Sequence, residues 1–225
     1  MNSFDGIISL LIACLELGYI VNILIFAEKN FVNKLILGTI ILLFGYQFFE
    51  FLICFAGLKS QYVVYIAFLD ITLLPPLGLY SVLAFSGKLG RHHKLIFIPA
   101  LFFIVYYFFT IDQIAVTKCS VLYVVYSYPL GHLYATFYYL PIIGSILILN
   151  KKWGAELDVK KKAQTRLLFF GYLFTLLPSM VIALFVPLFV TAVESLLCKM
   201  GFILATFSFI FVMKNKNIKA KDKHE

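Results

Sequence analysis

An all-α bundle of seven membrane-crossing helices, N-terminus outside and C-terminus inside, is the fold class this sequence predicts. Three observations lead there. Hydrophobic residues make up 62% of the chain and charged residues only 13%, against about 45–50% apolar and about 25% charged in ordinary soluble domains. The mean hydropathy is +0.97, more apolar surface than a core of this size can hide from water. Apolar runs near the length of a membrane helix, about 20 residues for a hydrocarbon core about 30 Å thick, recur along the chain between short polar turns.

Seven runs follow in order: Gly6–Ala27, Leu35–Gly57, Tyr62–Ser86, Leu95–Thr110, Leu130–Leu149, Leu167–Leu184 and Phe189–Met213. The first is too long for a signal-peptide core and has no basic residue before it, so it reads as a retained span. The fourth is the shortest, and Ile114–Tyr128 either extends the fifth or lies in the interface. Backbone groups find no water in a bilayer core, so the runs are expected to be helices. The chain divides into one seven-helix domain, 1–213, and a lysine-rich tail, 214–225, with no internal repeat or inverted symmetry between halves.

Direction follows from the loops. Lys29 and Lys34, then Lys88, Arg91 and Lys94, then Lys151 to Arg166, then five tail lysines from Lys214 to Lys223 all fall on one side. The other side offers Lys59 and Lys118. The positive-inside rule puts the basic side in the cytoplasm, and a multi-pass protein of the plasma membrane is expected. The formal charge of +8 is therefore a topology signal that also attracts an anionic membrane surface. Its residues sit between apolar runs rather than along one face, so it is no nucleic-acid signature. Cys14, Cys54, Cys119 and Cys198 show neither zinc-ligand nor disulfide-framework spacing, and the three in apolar runs, Cys14, Cys54 and Cys198, read as small packed residues. The "FFIVYYFF" run reads as lipid-facing and interfacial packing, and Trp153 as an interface anchor.

Ionisable groups inside spans are costly and mark candidate sites. Here they are Glu16, Glu50, Asp70, Glu194 and Lys199, with His132 opening the fifth span. At a rise of about 1.5 Å per residue, Glu16, Asp70 and Lys199 lie about 15 Å from the outer ends of their helices, and Glu50 and Glu194 higher. All fall in the outer half. One ammonium faces four acids, which predicts either an outward-facing ligand or ion site or a packing pair with spare carboxyls. Pro75 and Pro76, one turn and more below Asp70, are expected to kink the third span and free carbonyls for Thr72 or Tyr80. Pro178 is expected to kink the sixth. No metal set is expected, and His92 and His93 sit in a solvated basic loop.

Two resemblances add to this. "DITLLPPL" in the third span and "ESLLCKMGF" in the seventh resemble the microbial rhodopsins, which implies a retinal held on Lys199 with Asp70 as counter-ion. The sequence departs from that pattern in three ways: no arginine precedes Asp70, no span contains a tryptophan, and Glu194 is one residue off the usual spacing. Over more of the chain, "LGYIVNILIFAEKNFVNKLILGTIILLFGYQFFEFL" (17–52), "LLPPLGLYSVLAFSGK" and "VKKKAQTRLLFFGYLFTLLPSM" (159–180) resemble the N-terminal seven-transmembrane region of bacterial histidine kinases. That resemblance implies a sensor or signalling module standing without a kinase domain, since neither an H-box nor nucleotide-binding glycines are present.

The expected function is thus non-enzymatic: sensing through the outer-half cluster, with the bilayer as medium and no cofactor. The expected partner is a separate cytoplasmic protein meeting the basic inner loop Lys151–Arg166. A transporter or ion-conducting protein using the same acids is the alternative. HExxH, GxSxG and paired-aspartate motifs are absent.

Overall fold

The computed structural model describes residues 5–121, 123–185 and 193–215. Its helices are α1 (Ile7–Phe26), α2 (Phe31–Cys54), α3 (Gln61–Phe85), α4 (Ile98–Phe109), α5 (Gly131–Ala155), α6 (Val159–Phe185) and α7 (Val193–Lys214). Among the described residues, seven stretches are long and apolar enough to cross a membrane; α4 reaches that length together with the 3-10 segment Arg91–Phe97 that leads into it. The protein is an α-helical bundle of the multi-pass membrane type.

Local chemistry sets the helix ends. Asn30 caps α2 by accepting from the Asn33 amide at 2.8 Å, meeting one of the amides that a helix start leaves free. At the far end of α3, Gly87 takes the left-handed backbone (φ 67°) and Lys88 N–H reaches back to Leu83 O at 3.1 Å, a turn that absorbs terminal carbonyls. Lys152 completes this end, donating to Phe85 O at 2.8 Å with its ammonium over the Phe85 ring. A cation suits the negative end of a helix.

Successive helices pack side by side, except that α4 leans mainly on α3, and α7 closes the ring onto α1 and α2. Helix α2 supplies much of the interior through Ile40, Leu43, Tyr46 and Ile53. Apolar residues also cover the outside, among them Leu11, Leu15, Ile25, Leu101 and Leu147. A helix that is apolar all round suits a surface that meets lipid.

Four expectations are corrected. Residues 114–128 do not extend the fifth helix, which begins at Gly131. They hold an antiparallel pair, β1 (Ala115–Cys119) and β2 (Val124–Ser127), broken by a bulge between Val116 and Lys118. β-Branched residues fit a pleated backbone better than a helix, and outside a bilayer core such a pair is tolerated. Cys54 is not a small packed thiol: it forms a disulfide with Cys119 that ties β1 to the end of α2, where the spacing indicates none. The "FFIVYYFF" run does not face lipid throughout. Phe103 and Tyr107 are fully buried against Phe68 and Tyr134, with ring centroids 4.7–5.9 Å apart for the closest pairs, while Phe102, Val105, Phe108 and Phe109 cover the outer face.

The basic stretch Lys151–Arg166, expected as a loop, is mostly helical. Lys151 and Lys152 end α5, Lys160 to Arg166 open α6, and only Glu156–Asp158 lie between. Pro75 and Pro76 stand inside α3 and Pro178 inside α6. Thr72 donates to Phe68 O, whereas the Tyr80 ring packs edge-on against Phe97. Most of the expected tail, and the start of the seventh run at Phe189, lie outside the described residues.

The two ends of the bundle differ. At one, Gly6 N–H donates to Ser120 O at 3.3 Å beside the disulfide. At the other, Asn215 Nδ2 donates to Asn33 Oδ1 at 2.8 Å, and Gln164 Nε2 to Asn215 Oδ1 at 3.4 Å, joining α2 and α6 to the end of α7.

Candidate functional site

Helix spacing assembles a polar cluster where α1, α2 and α7 meet near the hairpin end. Gln47 and Glu50 are three apart on α2, and Ser195 and Lys199 four apart on α7, so each pair shares a face. Ser9 and Glu16, seven apart on α1, lie two turns from one another on the side turned inward. Lys199 Nζ donates to Ser9 Oγ at 2.5 Å, Gln47 Oε1 at 2.8 Å and Glu50 Oε2 at 2.5 Å. An ammonium has three donors, so its capacity is filled. The other Glu50 oxygen accepts from Ser195 Oγ at 3.0 Å.

The cluster does not end there. Val124 N–H of β2 donates to Ser195 Oγ at 3.0 Å, and Gln47 Nε2 donates to Cys198 O at 2.8 Å. Val124, Ser195, Glu50, Gln47 and Ser9 are each at most 1% exposed, and Lys199 is 8% exposed. A charge pair so dry needs such partners, and here three acceptors surround the ammonium and each carboxylate oxygen accepts a hydrogen bond.

Glu16 is enclosed as fully, within the electrostatic reach of Lys199, yet neither of its carboxylate oxygens is hydrogen-bonded. Asp70 shares the depth but faces another neighbour. It packs over Gly45 of α2, so closely that a Cβ placed there would lie 2.5 Å from its Oδ2, and that oxygen is buried without a partner. Thr72, two residues further along α3, bonds Tyr134 Oη at 3.0 Å. His132 is exposed at the start of α5. The side chain of Glu194 lies outside the described residues.

Of the residues singled out in the sequence, Lys199 and Glu50 are therefore joined, Glu16 is adjacent, and Asp70 and His132 stand apart. Ser9, Gln47, Ser195 and the Val124 amide complete the cluster without having been singled out. The one signal available was spacing: Gln47 and Ser195 lie one helical turn before the two charged residues.

Among the described residues, no three His, Cys, Asp or Glu side chains gather to hold a metal. The Lys199 ammonium is spent on three acceptors, and a void of about 30 Å³ lies beside Leu197, Cys198 and Gly201 of the same helix.

Fold and site together define a seven-helix membrane-type bundle with a buried lysine–glutamate pair tied to a disulfide-anchored hairpin. No family model, curated protein or solved structure matches the chain.

Proposed function

We propose that the chain is a non-catalytic sensor module of the plasma membrane, N-terminus outside, in which the Lys199–Glu50 cluster registers an outside event and α2 and α7 pass it inward. One observation carries this reading: the continuous connection from the Val124 amide through Ser195 to Glu50 and Lys199. It links a surface hairpin to the interiors of two helices whose opposite ends are joined again through Asn33 and Asn215. A displacement of the hairpin changes partners inside the bundle, and both helices span the distance to the basic end. The orientation is supported by two independent features. Basic residues crowd one end, and the disulfide belongs to the other, as expected if that end faces an oxidising compartment. The lysines and Arg166 on the ends of α5 and α6 then offer an acidic cytoplasmic partner its docking surface. The resemblance to the seven-transmembrane region of histidine kinases agrees with this division of labour.

Hydrogen exchange on the reconstituted protein tests the coupling. Lys199→Met or reduction of the disulfide is expected to change amide protection at 159–166 and 208–215, at the opposite end. Changes confined to the neighbourhood of Lys199 would reduce the cluster to a packing device.

Ion or proton translocation is the second reading, and Glu16 favours it, as a carboxyl in mid-bundle with no hydrogen-bond partner. Proteoliposomes loaded with a pH dye decide. Flux in the parent protein and none in Glu16→Gln would replace sensing by transport.

A further inference from the structure

Away from the lysine cluster, a slot of about 290 Å³ opens between α3, α4 and α5. Each helix gives it a proline: Pro76, Pro99 and Pro141. Pro76 and Pro141 stand inside α3 and α5, where a proline ring removes a ladder bond and crowds the preceding turn, while Pro99 sits in the first turn of α4, which tolerates it. The floor is Thr72, Ala100, Phe103 and Tyr134, all buried, while Phe137 and Leu140 at the rim are 40% and 56% exposed. The slot thus opens sideways, where a membrane-embedded chain meets lipid. Its lining runs from Ile96, in the 3-10 segment that leads into α4, to Phe103 on α4, and from Tyr134 to Pro141 on α5, about 10 Å along each.

The wall asks for an apolar occupant. Its hydroxyls are already engaged, Thr72 donating to Phe68 O at 2.6 Å and sharing a hydrogen bond with Tyr134. Charge appears only at the end. Ile96 lines the slot, and Lys94 and Arg91, both exposed, precede it on the same 3-10 segment. No acidic residue occurs between residues 86 and 98.

We propose that this slot is a binding site for an anionic phospholipid, one acyl chain lying between α3, α4 and α5 and the phosphate resting on Arg91 and Lys94. Lipid tails are as apolar as the slot, so its shape accepts a chain without choosing among lipids. The two cations make the choice, since each basic residue near a membrane surface favours an anionic headgroup.

Native mass spectrometry of protein released from nanodiscs, prepared with equal phosphatidylglycerol and phosphatidylcholine, tests both halves. The expected result is retained lipid with phosphatidylglycerol favoured by about fivefold or more. Arg91→Gln with Lys94→Gln brings the two lipids to near parity while lipid is still retained. Ala100→Phe fills the floor and removes the retained lipid. Leu140→Trp, at the exposed rim where folding is not at stake, obstructs the mouth and does the same. Equal retention by the parent protein, a preference that survives loss of both cations, or retention in the rim variant each overturns the proposal.

Discussion

Lys199 Nζ of α7 lies 2.5 Å from Glu50 Oε2 of α2, with the two side chains 6% and 1% exposed. Breaking such a pair leaves a bare charge in the interior, which costs about 3–5 kcal/mol, whereas replacing both members by apolar groups of similar size is often neutral. Lys199→Met and Glu50→Leu are each expected to destabilise by that amount, and the double variant by much less. Unfolding in mixed micelles followed by circular dichroism gives the double-mutant cycle. Additive losses would show that the two charges do not depend on one another.

The Cys54–Cys119 disulfide closes a loop 65 residues apart in sequence. Cross-links of this kind stabilise by about 2–4 kcal/mol. Cys54→Ser with Cys119→Ser is expected to lower the thermal midpoint and to speed trypsin cleavage at Lys118, which is exposed on β1. Because Val124 is hydrogen-bonded to Ser195, the loosened hairpin also unsettles the lysine cluster. Unchanged cleavage would mean that the strand pair and its contacts hold the hairpin without the bond.

Gly45 gives Asp70 its place. An added methyl would meet Oδ2 at 2.5 Å and Cγ at 3.2 Å, so Gly45→Ala forces the carboxyl or helix α3 aside, at about 1–3 kcal/mol. Asp70→Ala in the same chain removes the clash and is expected to restore most of that loss, read from the same unfolding curves. If Gly45→Ala is as harmful in the Asp70→Ala background as in the parent chain, the glycine is needed for helix-to-helix approach rather than for the carboxyl.

How much of this was legible in the sequence follows from what each signal measures. Spans show because lipid demands long apolar runs, so their described ends were readable to within a few residues except where charged residues extend the helices, α5 past Leu149 to Ala155 and α6 back to Val159. Lys199 and Glu50 were visible because charge stands out against oil. Their partners were not: Ser9, Gln47 and Ser195 are neutral groups of a kind found in many passive helices. Depth places residues in a slab but says nothing of helix rotation. Asp70 therefore looked like a neighbour of Lys199, while its helix turns it toward Gly45. The disulfide was hidden because partners 65 residues apart leave no local spacing, and the hairpin because its turn carries no Asn-Gly or Asp-Gly step.

Glu16 separates stability from function. Its carboxyl is sealed in α1 with no hydrogen-bond partner, and an unsatisfied buried polar group costs about 1–3 kcal/mol. Glu16→Leu is therefore expected to raise stability by that amount, the opposite sign from Glu50→Leu although both remove a buried acid. The physical difference is that Glu50 answers Lys199 and Ser195, whereas Glu16 answers only a field. If the acid serves sensing or translocation, this stabilised variant loses the long-range change in hydrogen exchange or the proton flux, the usual outcome when a costly group is kept for its work. The check is one unfolding curve beside one functional trace. A stabilised variant that keeps both responses would remove Glu16 from the site and leave the Lys199–Glu50 pair with its three neutral partners.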